Sequence, residues 1–152
     1  MLDREKDDSP RHKCFGCGDQ NPEGLHIHFE IEGKQAIGRF TPRANHVGFP
    51  GVAHGGVVAA ALDEAMGWAM YAAGAWAVTA HMEVRYRRPL KLADEVIVTA
   101  EVTRDRGKRL EAEARLETQA GDIIAECTGL FLRMPESESS RVQASFLGDP
   151  TA

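Results

Sequence analysis

Residues 54–73, HGGVVAAALDEAMGWAMYAA, carry the strongest structural signal in the chain: of these twenty residues only His54, Asp63 and Glu64 are plainly polar. A helix that is apolar nearly all round is buried on most sides. A membrane span is the competing reading, but adjacent carboxylates at mid-length oppose it, each disfavoured in lipid by roughly 3 kcal/mol on insertion scales. The stretch is therefore predicted as one long helix buried in a soluble domain.

Working upstream, the segment 42–53, PRANHVGFPGVA, supplies two prolines and two glycines and reads as a loop. Before it, Leu25, Ile27, Phe29 and Ile31 alternate with His26, His28, Glu30 and Glu32, the period of a half-buried strand. Gly33-Lys34 is the turn into a returning strand over 35–41. Downstream, four more strands are expected. The first runs over 77–88, with Val78, Ala80, Met82, Val84 and Tyr86 on one face and Thr79, His81, Glu83, Arg85 and Arg87 on the other. The second spans 95–103, and the third sets Leu110, Ala112, Ala114 and Leu116 against Glu111, Glu113, Arg115 and Glu117. The last, 123–134, is apolar on both faces and so belongs in the sheet interior or under another subunit. Tight turns are expected to join these four into an antiparallel meander. The result is an α+β domain, an antiparallel sheet of about six strands curled around one buried helix. Any helix face left uncovered asks for a second subunit.

The chain's 152 residues, 43% hydrophobic and 27% charged, suffice for one compact domain. Three parts are expected: a loose tail over 1–13, the folded body over 14–134, and a Ser-, Glu- and Pro-rich tail over 135–152 that Phe146 and Leu147 could dock onto the body or onto a neighbouring chain. A net charge of −5 lacks the basic footprint of a duplex-binding protein, so no nucleic-acid partner and no membrane are expected. Three cysteines are too few for a secreted disulfide scaffold and the first residues contain no apolar signal core, which makes a reducing cytoplasm the expected compartment. Cys14 and Cys17 with His12, His26 and His28 invite a zinc reading, but the spacing is irregular for known ribbons and fingers, and no metal is expected.

Three segments resemble the hotdog-fold acyl-CoA thioesterases, in the branch of the phenylacetyl-CoA-pathway and mitochondrial enzymes. CFGCGDQNPEGL, from Cys14, is similar to the branch's opening Cys-x-x-Cys-Gly-x-x-Asn-Pro-x-Gly-Leu signature. His54-Gly55-Gly56, followed by an apolar run and Asp63, resembles its helix signature, and TAHMEVRYRRP, from Thr79, resembles the strand that follows. The resemblance implies a hotdog sheet, acyl-CoA hydrolysis with no cofactor beyond the coenzyme A of the substrate, and a homodimer with interfacial active sites, with dimer pairing into a tetramer left open. It implies further that Asp63 is the catalytic carboxylate, that His54, Gly55 and Gly56 bind the carbonyl, that Thr79 holds the water, and that Arg85, Arg87, Lys108 and Arg109 contact coenzyme A phosphates. One departure stands out: some relatives place Asn six residues before the His, where this chain has Gly48.

The residues suit that chemistry. A thiol leaving group with a pKa near about 8.5 needs little help from an acid, so one base and one oxyanion site suffice. Gly55 and Gly56 at the helix start would let a carbonyl approach amides with no intrahelical partner, where the helix dipole favours negative charge. Asp63 serves as general base or as nucleophile, and by residue pattern alone Glu64 competes with it for the role. His54 alternatively caps the helix. It lies on the opposite helix face from Asp63 and about 13 Å along the axis, so a site using both would take the helix start from one subunit and Asp63 from its partner. As odd-numbered residues, Arg85, Arg87 and Thr79 would share a strand face. Trp68, Met70 and Tyr71 suggest an apolar acyl pocket. The alternative function is a non-catalytic acyl-CoA-binding module.

Overall fold

The computed structural model describes residues 13–147. The expected tail over 1–13 thus lies outside the described residues except for Lys13. Strands β1 (His28–Glu32) and β2 (Gln35–Phe40) form a hairpin; α1 (Gly55–Ala72) follows; then come β3 (Ala77–Tyr86), β4 (Val96–Asp105), β5 (Arg109–Thr118), β6 (Ile123–Arg133) and α2 (Glu136–Leu147). All pairings are antiparallel in one six-stranded sheet of order β1-β2-β4-β5-β6-β3. The sheet curls around α1, which packs against all six strands.

The four-strand meander is corrected: only β4, β5 and β6 form one, and β3 lies on the far edge beside β6. The physical reason is the connection over 87–95, which contains Pro89 and is no tight turn. Its Leu90 is buried at 2% exposure and accepts a hydrogen bond from the Ala53 amide, so the segment crosses the end of the sheet under the loop that precedes α1. The doubly apolar β6 occupies an interior position between β5 and β3, as its composition predicts. β1 starts later than the alternation suggests because His26 takes a φ of 54°, which interrupts the extended run, although Leu25 and Ile27 still point into the core.

The helix is buried along one stripe, not on most sides. Val58, Ala61, Leu62, Ala65, Met66, Ala69 and Met70 recur at helical spacing and face the sheet. Their small average size lets the sheet come close, and a Cβ on Gly129 of β6 would sit 2.8 Å from the Met66 sulfur. Another stripe, with Gly56 and Gly67 exposed and Ala59, Ala60 and Asp63 partly exposed, is left without cover.

The segment read from composition as a tail contains α2. Its start follows helix-terminus rules: Pro135 precedes it, Glu136 and Glu138 fall in the first turn, and the Ser139 amide bonds back to the Pro135 carbonyl. No α2 residue is buried, and the Phe146 ring meets Trp76 edge-on at 6.0 Å, the docking contact anticipated for that residue.

Candidate active site

The start of α1 is set by the loop before it. A short 3-10 turn at Ala44–His46 is closed by the Arg43 amide donating to His46 Nδ1 at 3.0 Å, and the His46 carbonyl accepts the His54 amide at 2.8 Å. Gly48 lies against His54, where a Cβ would sit 2.9 Å from the His54 Cα. The departure noted at this position therefore has a steric basis in this chain: a larger residue would push the loop off the helix start.

His54 is the N-cap, its Nδ1 accepting from the Gly56 amide at 2.8 Å. Of the two amides expected to face a carbonyl, Gly56 N–H is thus already engaged, whereas Gly55 N–H has no acceptor among the described residues. The Gly55 carbonyl accepts from the Tyr86 hydroxyl at 2.7 Å. Tyr86 lies at the end of β3 and went unnoticed as a site residue; its inward parity was the only signal of it.

Asp63 is partly buried midway along α1, and the Thr79 hydroxyl donates to its Oδ1 at 2.7 Å. A β-bulge between Thr79 and His81 makes this contact. Before the bulge Thr79 pairs with the core residue Phe131; after it Met82, Val84 and Tyr86 pair with Gly129, Cys127 and Ala125, the inner positions of β6. One extra residue reverses the alternation. Thr79 consequently faces the helix while Arg85 and Glu83 face outward, and the expectation that Thr79 shares a face with Arg85 and Arg87 is overturned. Cys127, another residue the sequence reading missed, faces inward near Asp63; burial, and then the Asp63 charge, push its thiol up to about 11.

The two adjacent carboxylates diverge. Glu64 turns from Asp63 toward the opening loop, where the Cys14 thiol meets its Oε1 at 3.5 Å. Burial, then the negative charge of Cys14, push the Glu64 carboxyl up to about 7. Hydrogen bonding from Cys17 holds the Cys14 thiol down at about 5, and the same contact together with burial drives Cys17 strongly upward. The donor atoms of Cys14, Cys17 and Glu64 lie within 4.8 Å of one another. Of the histidines near these cysteines in sequence, His26 has its Nε2 2.5 Å from the Asn21 carbonyl and His28 is on β1, while His12 is outside the described residues.

The four basic residues do not form one cluster. Arg87 is ion-paired with Glu126 at 2.9 Å and Arg85 with Glu83 at 3.5 Å. Both line a groove of about 570 Å³ on the outer side of the sheet, shared with Glu101, Glu113 and Arg115 and separated from Asp63 by the sheet. Lys108 and Arg109 lie at the β4–β5 turn, beside Leu132 and Arg133, at the end of the sheet where β3 begins. Of the suggested acyl-pocket residues, Met70 is in the core at 1% exposure, while Trp68 contacts Phe29 and Tyr71 at ring distances of 5.5 and 5.6 Å.

Comparison with known proteins adds three findings. Residues 50–125 match the family model described as the thioesterase superfamily. The acyl-coenzyme A thioesterase THEM4 of Bos taurus is 28% identical over 94 residues, which is 61% of this chain and 38% of that protein, and the chain spans less than half the length of the curated relatives it matches. Among solved structures, a thioesterase superfamily protein superposes with a TM-score of 0.76 at 26% identity, covering 80% of this chain and 60% of the other; a hypothetical thioesterase of Streptococcus pneumoniae TIGR4 crystallised with coenzyme A gives 0.68 at 16% identity, covering 71% and 85%.

Proposed function

The chain belongs to the thioesterase superfamily and has its hotdog fold, and from that premise we propose that it hydrolyses acyl-CoA thioesters to a free acid and coenzyme A, with Asp63 activating the water. The observation that carries this reading is the 2.7 Å hydrogen bond from Thr79 to Asp63 Oδ1 at the border of the uncovered helix stripe. Thr79 donates to one carboxylate oxygen, which orients the group and leaves the other oxygen to take a proton from water. The threonine oxygen keeps lone pairs that accept from the same water. The water oxygen attacks the thioester carbonyl, its proton passes to Asp63, the carbon–sulfur bond breaks, and the thiolate leaves and recovers the proton. The developing oxyanion is held by the Gly55 amide at a helix N-terminus.

Gly55 precedes Asp63 by eight residues on one helix, about 12 Å along the axis, so the two act on one carbonyl only across a dimer. Support for such a homodimer comes from the uncovered stripe on α1 and from β3, an edge strand of ten residues that is exposed over much of its length. Coenzyme A phosphates are assigned to Lys108 and Arg109, at the Thr79 end of the sheet; Arg85 and Arg87 would serve only from the neighbouring subunit. The three free cysteines suit a reducing cytoplasm, and no helix of the described residues is long and apolar enough to cross a membrane.

The test follows free thiol release across short, long and aromatic acyl-CoAs, with Asp63→Asn as control. Turnover that collapses in the variant supports the reading; no hydrolysis of any thioester, or full turnover in Asp63→Asn, removes it. The engaged Gly56 amide favours one alternative, a module that binds acyl-CoA without hydrolysing it, and binding with no turnover would select that reading.

A further inference from the structure

We propose that Cys14, Cys17 and Glu64 bind one thiophilic divalent metal ion of the zinc class, which pins the opening loop to α1 one residue beyond Asp63. Three observations carry this. The first is geometric. The donor atoms lie within 4.8 Å of one another, and the Cys14 sulfur stands 3.5 Å from Glu64 Oε1. Zinc–sulfur and zinc–oxygen bonds of about 2.3 and 2.1 Å at a tetrahedral angle put sulfur and oxygen about 3.6 Å apart.

The second is that the loop is shaped around the donors. The Gly18 amide bonds back to the Cys14 carbonyl at 2.9 Å, closing a turn that brings both cysteines to one side. Gly16 lies directly on Glu64: any Cβ there would overlap the carboxylate. The loop therefore closes over Glu64 only because this residue has no side chain.

The third is charge. Cys17 is buried at 9% exposure, and among the described residues no basic side chain forms an ion pair with Glu64. Withdrawing a carboxylate and two thiol groups from water with no cation among the described residues paired to them is costly, and a divalent ion removes that cost while displacing their protons. Two thiolates and one carboxylate select a zinc-like ion over calcium or magnesium, and three protein donors leave a fourth position for a water oxygen.

The full chain, purified without chelator from zinc-supplemented medium, is expected to contain about one zinc per chain. Reconstitution with cobalt is expected to give thiolate-to-metal charge-transfer absorption, a readout independent of catalysis. Cys17→Ser is expected to lose the metal, and Glu64→Gln to bind it at least about tenfold more weakly. A chelator is expected to lower the unfolding temperature of the parent protein and leave that of Cys17→Ser unchanged. The proposal is overturned if the reduced protein takes up neither zinc nor cobalt, if Cys17→Ser retains the metal, or if the pair simply oxidises to a disulfide, read as the loss of two hydrogen masses, with no metal uptake by the reduced form. The cobalt spectrum of the parent protein decides the matter even if the variants fail to fold.

Discussion

The hydroxyl of Thr79 donates a 2.7 Å hydrogen bond to Oδ1 of Asp63, joining an edge strand to the middle of the central helix across sixteen positions of sequence. Deleting the carboxylate charge while keeping its shape is the sharpest test of what this pair does. Asp63→Asn is expected to lower kcat/KM by about 100-fold or more, the usual contribution of a general base, with the unfolding temperature little changed because the side chain is partly exposed. Steady-state thiol release and thermal unfolding of the same preparation check both halves.

Thr79 acts through its hydroxyl in this reading, so its replacements should separate cleanly. Thr79→Val preserves the branched shape that suits a strand and removes the donor; its kcat should fall by about tenfold, consistent with loss of one hydrogen bond of about 1.5 kcal/mol to a charged group. Thr79→Ser should restore most of it. A defect in Thr79→Ser with full turnover in Thr79→Val would mean that the methyl group, not the hydroxyl, matters.

Gly67 lies on the exposed stripe of α1, and a Cβ added there meets nothing within 4 Å. Gly67→Arg should therefore fold normally as a single chain, helped by better helix propensity of about 0.8 kcal/mol. At a dimer interface the same side chain obstructs the partner. Light scattering should show a monomer with native circular dichroism and little hydrolysis; a dimer with full turnover would exclude this stripe from the interface.

His46 supplies a pH dependence of folding. Burial, followed by the charge of Arg43, holds its imidazole below the usual value of 6.5. The unfolded chain then takes up a proton at higher pH than the folded one, so this contribution is fully present above about pH 6.5 and declines as pH falls below it. Unfolding temperatures between pH 8 and pH 5 should show that decline. His46→Asn, whose side-chain oxygen can still accept from the Arg43 amide, should flatten it.

Much of the architecture was legible before any coordinates. The period of two in β1, β4 and β5, the doubly apolar run of β6 and the long apolar helix follow from where water would otherwise meet hydrocarbon, and that preference is written locally. Strand order was not, because pairing depends on how the 87–95 connection crosses the sheet, and nothing in a local pattern encodes that path. α2 was missed because its composition is that of a solvated segment; its start signals, Pro135 followed by Glu136, are weak when no face is buried.

The candidate site divides in the same way. The adjacent carboxylates Asp63 and Glu64 and the glycines at the helix start stand out by residue type and spacing, whereas Thr79 is singled out only by the family resemblance. The separation of Asp63 from Glu64 follows from the roughly 100° between neighbouring helix positions, but only the folded chain reveals that one carboxylate meets β3 and the other the Cys14–Cys17 loop.

The sequence alone determined that an antiparallel sheet must cover a helix carrying two carboxylates, since burial periodicity is a local property of the chain. The tertiary structure decided which groups meet. A single extra residue between Thr79 and His81 reverses the facing of the rest of β3, sending Arg85 outward and leaving Thr79 against Asp63, and a bulge is fixed by pairing with another strand, not by the residues within it.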